Sequence, residues 1–156
     1  MLRRISPFLL AAAAAVFAQR YDGPRPVKPD IPYLKHGDSL VETEAAQAKE
    51  EKRKDDLVYT IDGANSSAKT PLAEPIFLLQ ADKLQPDRLQ LYRLDSKNGR
   101  REILFPKKKG PMPLRLEVMR VDNRGLYRLE VDEELQPGEY SLSPEGSSQV
   151  FCFQVY

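Results

Sequence analysis

From residue 57 onward, hydrophobic positions come in short runs separated by turn residues. The runs cover 57–61, 76–81, 89–94, 101–105, 114–121, 126–131, 139–142 and 149–155. Asp62-Gly63, Asn98-Gly99, Asn123-Arg124-Gly125, Pro137-Gly138 and Glu145-Gly146 punctuate them. Short apolar runs at steps of about 8–12 residues, broken by turn chemistry, predict an antiparallel sandwich or barrel. Alternation within the runs agrees. Leu114, Leu116 and Val118 fall on one face with Arg115 and Glu117 opposite, and Tyr127, Leu129 and Val131 fall on one face with Arg128 and Glu130 opposite. Asn123-Arg124-Gly125 then joins these two strands as a hairpin, and Asn98-Gly99 predicts a second hairpin between 89–94 and 101–105. The run 76–81 is apolar throughout, as in a central strand covered on both faces.

The pattern before residue 57 is different. Pro24, Pro26, Pro29 and Pro32 fall within nine positions. Each proline fixes φ and removes a backbone donor, so 19–40 is expected to be an extended arm. Ile31, Tyr33 and Leu34 give that arm an apolar segment, assigned as a partner contact, with docking over strand 76–81 as the competing outcome. Residues 41–56 hold good helix formers, acids before bases and no Gly or Pro, with alanines as nearly the only apolar residues. That composition predicts a charged, solvated helix or linker. The expected organisation is thus an arm, a charged segment and a β-sandwich at 57–156 that folds without them.

Within the sandwich, Leu135-Gln136-Pro137-Gly138-Glu139-Tyr140-Ser141-Leu142 resembles the tyrosine-corner segment of fibronectin type III and related immunoglobulin-like domains. There a Pro-Gly turn leads into the penultimate strand, and the Tyr hydroxyl bonds backbone a few residues upstream. The resemblance implies structural roles for Pro137, Gly138 and Tyr140, with Gly138 free to take a positive φ. It implies an immunoglobulin-like antiparallel β-sandwich of all-β class. The Cys pair and core Trp of antibody domains are absent, since the chain has one Cys and no Trp. Pro137-Gly138-Glu139-Tyr140 with the terminal Phe151-Cys152-Phe153 also resembles exported bacterial proteins, a likeness that implies compartment and no activity.

The N-terminus carries its own signal. Met1-Leu2-Arg3-Arg4 precedes an apolar stretch of at most 14 residues, and Val16-Phe17-Ala18 places small residues where a signal peptidase reads them. A membrane span needs about 20 apolar residues, so 1–18 is expected to be a cleaved secretory signal and the mature chain to have no membrane span. The chain holds 24 Lys+Arg and 23 Asp+Glu. The first 18 residues contain two of the arginines and no acid, so the mature chain is acidic by a single charge. That balance argues against nucleic acid as a partner.

Little chemistry is visible. Cys152 is the lone cysteine, so no internal disulfide forms, and its place between two phenylalanines predicts burial. One His and one Cys do not make a zinc site, and no phosphate-cradling glycine motif is present. No cofactor or metal is therefore expected. Lys107-Lys108-Lys109, between Pro106 and Pro111, is the strongest charge run, and it is assigned either to a solvated loop or to contact with an anionic partner surface. The expected function is a non-enzymatic exported interaction module or accessory subunit, periplasmic or secreted, binding another envelope or secreted protein. Carbohydrate binding is the alternative.

Overall fold

The computed structural model describes residues 20–156; the expected signal peptide lies outside the described residues. The chain is all-β. Its strands are β1 (Tyr33–His36), β2 (Ser39–Glu42), β3 (Glu44–Gln47), β4 (Lys49–Arg53), β5 (Asp56–Asp62), β6 (Lys69–Thr70), β7 (Ile76–Gln80), β8 (Leu89–Lys97), β9 (Arg100–Phe105), β10 (Leu116–Arg120), β11 (Leu126–Val131), β12 (Gly138–Pro144) and β13 (Gln149–Val155). Each of the eight apolar runs becomes a strand, with ends displaced by no more than a few residues. The predicted hairpins also form. Asn98 and Gly99 both take positive φ (54° and 73°), which a two-residue turn matched to strand twist requires. At the 123–125 turn a Cβ on Gly125 would stand 2.7 Å from the Ala81 carbonyl oxygen, so only glycine fits.

Two sheets result. The smaller has the order β10-β11-β7-β1-β2; the larger runs β3-β13-β12-β8-β9-β5-β4, with β6 parallel to β13. The larger sheet closes on itself. Its two end strands, β3 and β4, are separated only by Ala48, whose N–H donates to the Ser148 carbonyl at 2.8 Å. Residues 44–53 are therefore one stave. Its first half pairs with β13 (Ala46 opposite Val150) and its second half with β5 (Glu50 opposite Tyr59). The helix or linker expected at 41–56 gives way to strand. The reason is the direction of its small residues: Ala46 and Ala48 face the interior of the ring and pack on its apolar cluster, while Ala45, Gln47, Lys49 and Arg53 on the alternate positions are exposed. That is a two-residue period, which three alanines among charges do not reveal.

Strands β8, β12 and β13 serve two cores. Their Leu89, Leu91, Tyr140, Leu142, Phe151 and Phe153 pack against Leu34, Phe77, Leu79 and Leu129 of the smaller sheet. The Phe77 and Phe153 rings meet edge to face at 5.0 Å, and Tyr140 stacks on Phe153 at 5.5 Å. The opposite faces of the same strands send Leu94, Val150 and Cys152 into the ring, against Ile61 and Ile103. Cys152 is fully buried for this reason: its strand is covered on both sides.

The arm is also integral to the fold. β1 pairs with β7 on one side and β2 on the other. Tyr33 is 5% and Leu34 0% exposed, and Ile31 packs on the first core. Burying a large apolar side chain is worth about 1.5–3 kcal/mol, so withdrawing these residues for a partner is costly. Ile31, Tyr33 and Leu34 thus pack on the chain's own core, and of the two fates for the arm, docking on its own domain is the one observed. Asp30 fixes its entry. With φ at 62°, it accepts three backbone N–H groups, from Asp82, Lys83 and Leu84. Partial burial works against its charge, but these donors hold the carboxyl below its ordinary pKa. The arm and the stave both pair with strands of the 57–156 region and complete its sheets.

The 138–144 region carries the tyrosine hydrogen bond that its sequence implies. The Tyr140 hydroxyl donates to the Gln136 carbonyl at 2.6 Å, four residues upstream, and the ring is buried. Gly138 is not among the positive-φ residues; its lack of a side chain instead admits Arg93, whose Nη2 would lie 3.1 Å from a Cβ. Replacing Tyr140 by Phe should lower the free energy of unfolding by about 1 kcal/mol, the usual net value of one such bond. Urea denaturation measures this directly, and an unchanged midpoint would show the hydroxyl to be energetically idle.

Candidate functional site

The ring interior has a closed end, an apolar middle and an open mouth. Arg101 on β9 forms the closed end. Its guanidinium donates to both Glu44 carboxylate oxygens (2.6 and 3.0 Å) and to the carbonyls of Gly63 (2.9 Å) and Asp62 (2.7 Å). Arg101 is fully buried. Burial opposes its charge, but Glu44 outweighs that and keeps the guanidinium protonated. Glu44 is held below the ordinary carboxylate range: burial pushes it up, and Arg101 more than reverses this. Glu139 lies nearby on β12 and accepts the Ser66 backbone N–H at 2.6 Å; burial pushes its carboxyl up. These groups tie β3, β9, β12 and the 62–66 loop together.

Cys152 sits just beyond this plug. Burial drives its thiol up to about 12, with Arg101 only partly offsetting it, so the side chain is held as a neutral thiol. His36, the single histidine, bonds the Thr70 hydroxyl at 2.9 Å and ties β1 to β6. Among the described residues no cluster of three or more His, Cys, Asp or Glu is placed to hold a metal ion.

The mouth is a groove of about 650 Å³. It exists because β8 and β9 pair only at Asp95–Lys97, beyond which the two strands diverge. One wall is aromatic: Tyr59, Tyr92 and Phe105. Phe105 meets Tyr59 at 5.2 Å and 87°, and Tyr92 at 5.8 Å and 71°, so the rings turn a corner rather than forming a flat platform. The other wall carries Ser141 and Ser143, whose hydroxyls bond each other at 3.0 Å, with Ser148 beside them donating to Gln47. Glu50 from the stave and Glu145 from the β12–β13 turn stand at the rim. A short relay fixes one corner: the Tyr92 hydroxyl donates to Gln90, whose Nε2 donates to Glu145 at 3.1 Å. Among the described residues no Lys, Arg or His lines this groove. Sequence reading misses it, because its residues come from six strands and are scattered over 48–150.

Lys107, Lys108 and Lys109 lie in the exposed β9–β10 loop, where the Lys107 N–H donates to Asp56. The fold does not bring them together with Ile31, Tyr33 and Leu34. A second cleft lies between the start of the arm and the β10–β11 turn, with Arg20, Arg25, Arg120 and Arg124 around it. Two of these are already engaged: Arg25 pairs with Asp122 at 2.8 Å and Arg120 donates to the Asp122 carbonyl. Among the described residues, no helix is long and apolar enough to cross a membrane.

Comparison with known proteins adds no assignment: no family model, no curated protein and no solved structure matches the chain.

The plug generates a stability test. Arg101→Met should cost about 3–5 kcal/mol, because it strands buried carboxylates. Arg101→Met combined with Glu44→Leu should recover some of that loss. The depressed pKa of Glu44 adds a sign. Its contribution is complete above the ordinary carboxylate range and disappears as pH falls through and below it. Denaturation midpoints of wild type and Glu44→Gln across acidic pH check this, and a wild-type slope unchanged in the variant would refute it.

Proposed function

We propose that this chain is a non-enzymatic, exported binding module with an immunoglobulin-like sandwich, and that it presents its ligand site at the mouth of the closed sheet. The observation that carries the site is the groove itself: a rigid concavity built by alternate residues of six strands, polar on one wall and aromatic on the other. Export rests on the Arg3-Arg4 n-region, the apolar stretch and Val16-Phe17-Ala18.

The immunoglobulin-like reading is supported by strand order. β1, β7, β11 and β10 follow the A, B, E, D arrangement of one sheet, and β8, β12 and β13 follow C, F, G of the other. The Tyr140 bond to Gln136 falls on the strand in the F position. The stave at 44–53 and β5 are then additions that wrap the C-F-G face and turn it into the ring.

A non-catalytic role is favoured by the chemistry of the interior. Its strongest ionisable groups, Arg101, Glu44 and Glu139, are spent on one another and on backbone. Carbohydrate binding is the second reading, favoured by the Ser141 and Ser143 hydroxyls in a groove that also holds aromatic rings.

Site-specific photocrosslinking in the exporting cell tests the site. A benzophenone side chain replacing Glu50 at the rim should give adducts, while one replacing Lys49 on the outer face of the same stave should not. Adducts confined to the Lys107–Lys109 loop would move the contact surface away from the groove. Binding of the purified protein to a glycan array, lost in Tyr59→Ala, would favour the carbohydrate reading.

A further inference from the structure

Charge and ring geometry in the groove together define a ligand class. Two carboxylates, Glu50 and Glu145, stand at its rim, and among the described residues no cationic side chain lines it. The nearest basic run, Lys107–Lys109, follows Phe105 closely but stays exposed in the loop outside. The groove therefore carries a negative potential beside an aromatic wall of low polarity, where charge interactions are stronger than in water. Burial, and then the charge of Glu145, push the Tyr92 hydroxyl up, which is consistent with that field.

The three rings add direction. Aromatic faces are electron-rich and attract cations. Tyr59, Phe105 and Tyr92 follow one another at near right angles, so adjacent ring faces line a corner. A sugar ring stacks best on flat or coplanar aromatics. A corner of perpendicular rings instead suits a compact, rounded group that touches two faces at once. The Tyr92–Gln90–Glu145 relay holds one carboxylate at the open side of this corner. An acidic ligand such as a uronate or phosphate would face repulsion from both glutamates and meet no compensating positive charge.

Resting on the assignment of the groove as the binding site, we propose that it selects a ligand bearing a compact ammonium group, seated against Tyr59, Tyr92 and Phe105 and balanced by Glu50 and Glu145. The serine wall then hydrogen-bonds whatever polar chain the ammonium carries.

Choline and its neutral isostere 3,3-dimethylbutan-1-ol differ in charge at nearly constant shape, which makes them the probes. NMR titration of the full mature chain at low, constant ionic strength reads both the affinity and the location. Choline should shift the Tyr59, Phe105 and Gln90 resonances, and the isostere should bind at least about tenfold more weakly, as a desolvated cation–π contact requires. Tyr59→Ala and Glu145→Gln should each weaken choline by a similar factor, while Lys49→Gln on the outer face leaves it unchanged. Glu145→Gln is close to isosteric, and an unchanged spectrum elsewhere establishes that it is folded. Equal binding of the isostere would overturn the proposal, as would groove shifts absent for both probes. Groove shifts from a neutral oligosaccharide such as maltotriose without any from choline would also overturn it, while leaving the groove as the binding site.

Discussion

The pairing of one extended segment with two strands that are otherwise far apart in the sheet is the contact on which this structure depends. Residues 44–53 hold β13 with one half and β5 with the other. Without that stave β5 and β9 would hang from β8 by the three residue pairs at Asp95–Lys97, and the inner face of β8, β12 and β13 would lie open to water. With it, those strands are covered on both sides. The double coverage explains why residues 150–153 are buried without interruption and why a chain with no disulfide holds two cores. The narrow ring also explains the stave's composition. Ala46 and Ala48 are the inward residues at its middle because the facing Ile61, Leu94 and Val150 already fill the space.

The same constraint decides how much of the fold is legible in the sequence. The eight strands after residue 57 carry large apolar residues on a two-residue or continuous pattern, and their turns are marked by Gly, Asn or Pro, so existence and limits can both be read. The segment at 44–53 cannot. Its inward positions are Glu44, Ala46, Ala48 and Glu50, and none of them signals burial. Glu44 is inward only because Arg101, 57 positions away, meets it there. Local propensity for helix is real and is overridden by pairing along both halves of the segment. Tyr33 and Leu34 are visibly apolar, but prolines at 29 and 32 suggest a free arm. Those prolines stop short of β1, which is an inner strand between β2 and β7. The groove is the least legible feature, since its aromatic wall joins positions 59, 92 and 105, which have no fixed spacing.

On the proposed function, the ring separates stability from recognition within one interior. At the closed end Arg101, Glu44 and Glu139 are bound to one another's elements and to backbone, an arrangement whose loss is more costly than its presence is stabilising. At the open end, divergence of β8 from β9 leaves rings and hydroxyls lining a groove, framed by strands that belong to a closed sheet. A preorganised mouth of this kind loses little conformational entropy when a ligand enters.

Closure of the sheet by residues 44–53 is most directly tested by interstrand nuclear Overhauser effects in the full chain. The account predicts, in a single sample, backbone contacts of Ala46 with Val150 and of Glu50 with Tyr59, with slow amide exchange along both halves of the stave. Contacts between residues three apart within 44–53, as in a helix, or contacts to β5 without any to β13, would contradict it.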